Sequence, residues 1–224
     1  MSSAVAGLGA YQFPGSLNDT TRNYFLARAE LSAPRIAQDM RAIVADPGDG
    51  AAAERLWAAN PGWNGMLRTT CVATEFLGGH APNALPQRAR VNVNCRILPG
   101  VPVEEVRDEL VRVLQDEAIS VSLAGERGVT APVPTLTPEI MTPIRKLARV
   151  HWPEARIVPT MATGATDGRY LNAAGIPTYG VSGIFHDARG SGAHGLNERI
   201  RVKSLLDARL FLHELVRAYA QARD

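Results

Sequence analysis

The sharpest hydrophobic period in the chain is two. Ala89, Val91, Val93, Cys95 and Ile97 alternate with Arg90, Asn92, Asn94 and Arg96, which predicts a strand buried on one face and wet on the other. The stretch TTCVATEFLGG, residues 69–79, is rich in β-branched residues and predicts the preceding strand, with the turn-like HAPNALPQ between them. Pro99 and Gly100 end the second strand. Pro102 opens a helix that holds Glu104 and Glu105 in its first turn, where they favour the helix dipole. Val103, Val106, Leu110, Val113 and Leu114 form its apolar stripe, and ISVSLA, residues 119–124, predicts a third strand. Strand, strand, helix, strand reads as a small α+β layer with helices over one face of a sheet.

Helical spacing dominates on either side. Residues 18–46 predict two helices, the first capped by Asn18 or Asp19 and the second opened by Pro34, with Ile36, Met40, Ile43 and Val44 inward. The run from Asp46 to Gly50 breaks the pattern, and a short helix over 51–59 carries Leu56 and Trp57, both expected in the core. The first residues, MSSAVAGLGAYQFPG, read as the tail of a helix entered partway. Residues 124–135 are loop-rich, and a domain boundary is expected there, giving parts 1–131 and 132–224. Beyond it come a helix from Pro138 to Trp152 stopped by Pro153, a strand IVPTM and a short helix from Thr166 or Asp167 to Gly175. A strand IPTYGV and a helix over 203–221 follow, the latter with Leu205, Leu212, Leu215, Val216 and Tyr219 inward. That alternation predicts a partly parallel α/β sheet.

Composition narrows the function. At 224 residues with 46% hydrophobic and 21% charged side chains, the chain can bury a core as one large domain or two small ones. A formal charge of +2 without a basic stripe argues against nucleic acid as partner. No apolar run approaches the roughly 18 residues of a membrane helix, and the N-terminus lacks the basic and apolar segments of a signal peptide. Cys71 and Cys95 sit in separate strand-like runs rather than in a CxxC pair, so neither a zinc knuckle nor a disulfide scaffold is suggested.

Candidate chemistry concentrates in residues 160–201, where glycines surround Asp167, Arg169, His194, Asn197 and Glu198. Such a stretch reads either as binding loops on a rigid scaffold or as an ordinary polar connection. His213 and His151 read as packing or surface residues. His186 is expected to be exposed, and His80, in a Gly-Gly-His turn, stays open as a substrate contact. His194, beside a glycine and ahead of Asn197 and Glu198, is the candidate metal ligand. One imidazole makes no zinc site, which needs three or four protein ligands.

Three stretches taken together, NALPQRARVNVNCRILPG with the VEEV helix after it, TGATDGRYLNAAGIPTYG, and AHGLNERI, resemble the M20 family of metallopeptidases and amidohydrolases. The resemblance covers nearly the whole chain in matching order. It implies an α/β (α+β) protein: residues 1–131 as most of a lid and dimerisation domain lacking its opening strand, and 132–224 as the C-terminal part of a zinc-exopeptidase-like catalytic domain. It implies His194 as the last zinc ligand, Asn83 and Arg96 as lid residues that reach substrate, and Gly164, Ala165 and Thr166 as the pocket loop near the substrate carboxylate. In such a family two zinc ions, or cobalt or manganese, activate water and a carboxylate base moves the proton.

The other ligands and the general base are expected upstream of this chain, so no catalytic residue is expected within it. The implied function is a fragment of a hydrolase cleaving amide bonds of small peptides or N-acyl amino acids, inactive by itself and homodimeric. The alternative is a non-catalytic dimerisation or binding module of the same fold. No membrane partner is expected; a cytoplasmic or periplasmic location both stand, since any export signal would precede Met1.

Overall fold

The computed structural model describes residues 2–124, 130–187 and 190–221. It divides into two compact units, one of Met1–Val133 with Val158–Ile176 and one of Pro134–Ile157 with Pro177–Asp224. Part of the expected linker, residues 125–129, lies outside the described residues.

The first unit begins with the helical tail that the sequence suggests, α1 (Ser2–Ala10), followed by α2 (Asp19–Ala29), α3 (Pro34–Ala45), α4 (Gly50–Ala59) and α5 (Pro61–Leu67). Asn18 caps α2 by accepting from Thr21 N at 2.9 Å, while Thr21 Oγ1 accepts from Asn18 N at 3.1 Å; each side chain satisfies an otherwise orphaned backbone donor. Phe25, Met40, Ile43, Leu56 and Leu67 are buried together where α2 to α5 converge. Within this apolar cluster Asp39 is only 4% exposed, and Arg55 clamps it through Nη2 at 2.6 Å and Nε at 3.0 Å, the paired donation a buried carboxylate requires.

Trp57 corrects the expectation of a core role. The buried stripe of α4 is Ala52, Ala53 and Leu56, and Trp57 lies one position past it, exposed. The tryptophan in the core is Trp63, on the unforeseen helix α5; its Nε1 donates to Tyr24 Oη at 3.1 Å.

The strands β1 (Thr70–Gly78) and β2 (Ala89–Arg96) pair antiparallel. A bulge between Ala73 and Glu75 shifts the phase of β1, so Cys71, Ala73 and Phe76 all lie opposite Cys95, Val93 and Val91 on one face. Leu8 of α1 and Val106 and Leu110 of α6 (Val103–Leu114) cover the Cys71, Val93 and Cys95 part of that face. The register sets Cys71 against Cys95 at 4.1 Å between Cα atoms, and the two form a disulfide. The sequence does not foretell this bond: spacing along the chain gives no register, and pairing supplies it. Cross-linking residues 24 apart removes roughly 3 kcal/mol of unfolded-chain freedom.

Three predicted strands do not form. Residues 119–124, 157–161 and 176–181 carry no ladder, and among the described residues the one sheet is two-stranded. The partly parallel α/β sheet is therefore absent and the fold is α+β. A strand-like sequence becomes a strand only when a neighbour accepts its backbone bonds.

The second unit packs α7 (Pro138–His151) against α9 (Val202–Gln221) through Met141, Ile144, Ala148, Phe211 and Leu215. Thr137 caps α7 and Pro138 occupies its first turn, as expected, although the helix ends at His151. The buried stripe of α9 is Ser204, Ala208, Phe211 and Leu215. Leu205 and Val216, expected inward, fall one position beyond it and are exposed. Ser204 Oγ both accepts from Phe185 N at 2.7 Å and donates to Phe185 O at 2.9 Å, fixing the preceding loop to the helix. Gly183 closes that junction at φ +66°, where a Cβ would lie 2.7 Å from the Trp152 ring and 2.9 Å from Phe211.

One charged cluster ties the start of the chain to α6. Tyr11 Oη donates to Glu109, and Arg112 grips the same carboxylate through Nη2 at 2.5 Å and Nε at 2.8 Å. Arg112, and then Tyr11, hold the Glu109 carboxyl down at about 2 from an ordinary 4.5. A carboxyl with a depressed folded value stabilises the fold fully above its unfolded value, and that contribution fades as pH falls toward the folded value. Glu109→Gln should therefore lower the urea midpoint by a constant amount above about pH 5. The gap from the parent should close between pH 4.5 and 2; a gap that persists at pH 2 would show that the charge is not what matters.

Candidate functional site

The loop of His194 is built from short backbone bonds. Arg199 N donates to Ser191 O at 2.8 Å and Gly195 N to Gly192 O at 2.8 Å, while Ala193 N reaches Ser191 Oγ at 3.3 Å. A Cβ on Gly192 would meet Asn197 O at 2.9 Å, so the chain doubles back closely. At its apex His194 takes φ +63°. For a residue with a side chain this left-handed conformation costs about 1–2 kcal/mol. Strain at an exposed polar residue is a pointer to function. The imidazole is exposed, as is Leu196 beside it.

The loop of Gly164, Ala165 and Thr166 belongs to the first unit. Thr166 O accepts from Arg169 N at 3.2 Å and Asp167 O from Tyr170 N at 3.0 Å, which starts the short helix α8 (Gly168–Ala173). Upstream, Met161 packs on the α2–α5 cluster, and the Thr163 methyl lies 3.1 Å from where a Gly65 Cβ would stand. The loop is thus anchored at its base and exposed at Gly164, Ala165 and Thr166. Arg169 stacks on the adjacent Tyr170 ring, 4.5 Å from its centroid.

Asn83 sits in the exposed connection of the β1–β2 hairpin, and Arg96 ends β2, also exposed. A strand advances about 3.4 Å per residue, so the two stand at opposite ends of the hairpin, on the order of 20 Å apart. This hairpin alone does not bring them together. His194 lies in the second unit, whereas the other four residues and Arg96's strand belong to the first.

The remaining histidines have plain surroundings. His151 pairs with Glu214 at 2.9 Å, joining α7 to α9, and His80, His186 and His213 are exposed. Among the described residues no group of three or more His, Cys, Asp or Glu could hold a metal ion. His194 by itself does not fit zinc, which needs three or four protein ligands. The disulfide and the strained φ of His194 are the features that sequence reasoning missed. The glycines flanking His194 are a signal for the tight loop, though not for the angle of the histidine itself.

The geometry defines an α+β layer whose two-stranded sheet is covered on part of one face by α1 and α6. Residues 15–122 match the model described as peptidase dimerisation domain, and the chain is similar to proteins of the M20 family. A probable carboxypeptidase S-like 2 of Dictyostelium discoideum is 24% identical over 164 residues, covering 73% of this chain and 32% of that protein. The N-fatty-acyl-amino acid synthase/hydrolase PM20D1 of Mus musculus is 26% identical over 168 residues, covering 72% and 33%. That of Bos taurus is 30% identical over 170 residues, again covering 72% and 33%. The chain thus spans about a third of the length of the curated relatives it matches. No solved structure matches it. Among the described residues no helix is long and apolar enough to cross a membrane.

The strain at residue 194 is testable by stability alone. His194→Gly trades about 1 kcal/mol of strain for a similar entropy cost and should leave the thermal midpoint nearly unchanged. His194→Val should lower it clearly, because β-branched residues resist positive φ. Equal midpoints for the two variants would rule out the left-handed apex.

Proposed function

We propose that this chain is part of a hydrolase that cleaves amide bonds of small peptides or N-acyl amino acids, and that residues 1–131 are its subunit-pairing portion. The observation that carries this reading is the dimerisation-domain match over residues 15–122, joined to relatives whose printed names are carboxypeptidase S-like proteins and N-fatty-acyl-amino acid synthase/hydrolases. The exposed Val72, Phe76 and Leu77 on β1 support association through this layer: an open strand edge with apolar neighbours favours a second copy.

In the complete polypeptide His194 would contribute one donor to zinc, or to cobalt or manganese in its place, with the remaining ligands and the general base supplied from outside residues 1–224. Arg96 would hold a substrate carboxylate by paired N–H donation. Asn83 would offer its amide to the polarised carbonyl oxygen, and the backbone of Gly164, Ala165 and Thr166 would line the pocket. The second reading, a non-catalytic dimerisation or binding module, is favoured by one specific observation: the described residues offer no group of three or more His, Cys, Asp or Glu that could hold a metal ion.

Both readings expect the 224-residue chain to be inert alone. Purified protein incubated with N-acyl amino acids and with dipeptides, with added zinc and with EDTA, should release no free amino acid above the buffer control. EDTA-sensitive release would mean that the chain builds a complete site.

A further inference from the structure

Among the described residues two charged side chains are buried, Asp39 at 4% exposure and Arg68 at 7%. They are handled differently. Arg55 turns its Nε–Nη2 edge on Asp39 and donates from both nitrogens, so that charge is neutralised where it lies. Arg68, directly after α5, donates from Nη1 to Gln12 Oε1 at 2.7 Å, and Gln12 is a neutral acceptor on an exposed residue. The Arg68 Nε is buried without a hydrogen-bond partner. Among the described residues no carboxylate pairs with this guanidinium.

The setting makes that costly. Met66, Leu67 and Thr69 on either side of Arg68 are buried as well, and Thr69 Oγ1 is engaged in accepting from Leu98 N at 3.3 Å. Burial pushes the Arg68 guanidinium below its ordinary value, the direction expected of a cation held away from water without a counter-charge. A water molecule would satisfy the Nε–H but leave the charge uncompensated. An anion does both. The unbonded edge, Nε with Nη2, is the one that Arg55 gives to Asp39, and its two parallel N–H groups match two oxygens of one oxyanion.

We propose that Arg68 is an anion site, whose Nε–Nη2 edge takes a small oxyanion such as a carboxylate, admitted beside Gln12. Solvent reaches that point because Gln12 is exposed, whereas the burial of Arg68 leaves no room for a bulky ligand. The dry surroundings strengthen the paired donation. The proposal rests on the burial and bonding of Arg68 and not on the hydrolase reading.

The test uses the whole chain with sodium acetate or sodium sulfate at millimolar concentration, ionic strength being held constant with sodium chloride. Either oxyanion should raise the thermal midpoint saturably. At ten times its dissociation constant it should raise the folded-to-unfolded ratio about elevenfold. In nitrogen-15 spectra the Arg68 Nε–H signal, assigned by its loss in Arg68→Lys, should move with the same saturation. Arg68→Lys keeps the charge without the fork and should bind about tenfold more weakly. Arg68→Met, checked by circular dichroism for retained fold, should melt no lower than the parent in chloride, because it removes an uncompensated charge. It should show no saturable rise with either oxyanion. A Met variant that melts clearly lower in chloride, equal rises in parent and Met variant, or an Nε–H signal unmoved by both anions would each overturn the proposal, and the last needs no variant. A signal that follows dilution of the protein and not added anion would give the edge to an acidic side chain of a second copy, and would equally overturn the free-anion site.

Discussion

The pairing of β1 with β2 is the contact on which the first unit's α+β layer depends. A strand has no internal partner for its N–H and C=O groups, so each of these two exists because the other does. Their register then decides everything built on the sheet. With the bulge after Ala73, it gathers Val91, Val93 and Cys95 with Cys71, Ala73 and Phe76 on one face. It also brings the two sulfurs into bonding position. Helices α1 and α6 cover only part of that face. The remainder, with both strand edges, stays open, and open edges with exposed apolar neighbours are surfaces for association.

The same constraint explains the ladders missing among the described residues beyond residue 133. Residues 157–161 and 176–181 have apolar, β-branched sequences without a ladder, and α7 and α9 are held instead by Phe211, Leu215 and their partners. The exposed Leu205, Leu206, Leu210 and Val216 on α9 are more apolar surface than a helix of a finished domain normally shows. The polar loops follow suit: Gly164 to Thr166 and His194 are each shaped within their own unit, without a ligand cluster forming among the described residues.

Local chemistry was well written in the sequence. Asn18, Pro34, Thr137 and Pro138 marked helix starts because caps and N1 prolines act within one turn. The alternation of residues 89–97 marked a one-faced strand because pleating is local. What failed was information held between elements. Trp57 and Trp63 look alike by composition, and only the angle of α4 against α2 and α3 decides which of them is buried. Cys71 and Cys95 show no relation until a register exists. The third strand and the parallel sheet rest on apolar runs that find no ladder partner among the described residues. Of the site, the motif residues Asn83, Arg96, Gly164, Ala165, Thr166 and His194 came from resemblance, and the positive φ of His194 had no signal in the chain.

On the proposed reading this chain would pair with a second copy and hold no metal centre of its own. Light scattering coupled to size exclusion, with zinc measured by mass spectrometry on the same peak, tests both halves at once. The account predicts a mass twice that of the 24.1 kDa chain and zinc far below one ion per chain. A monomer holding close to two zinc ions per chain would contradict it.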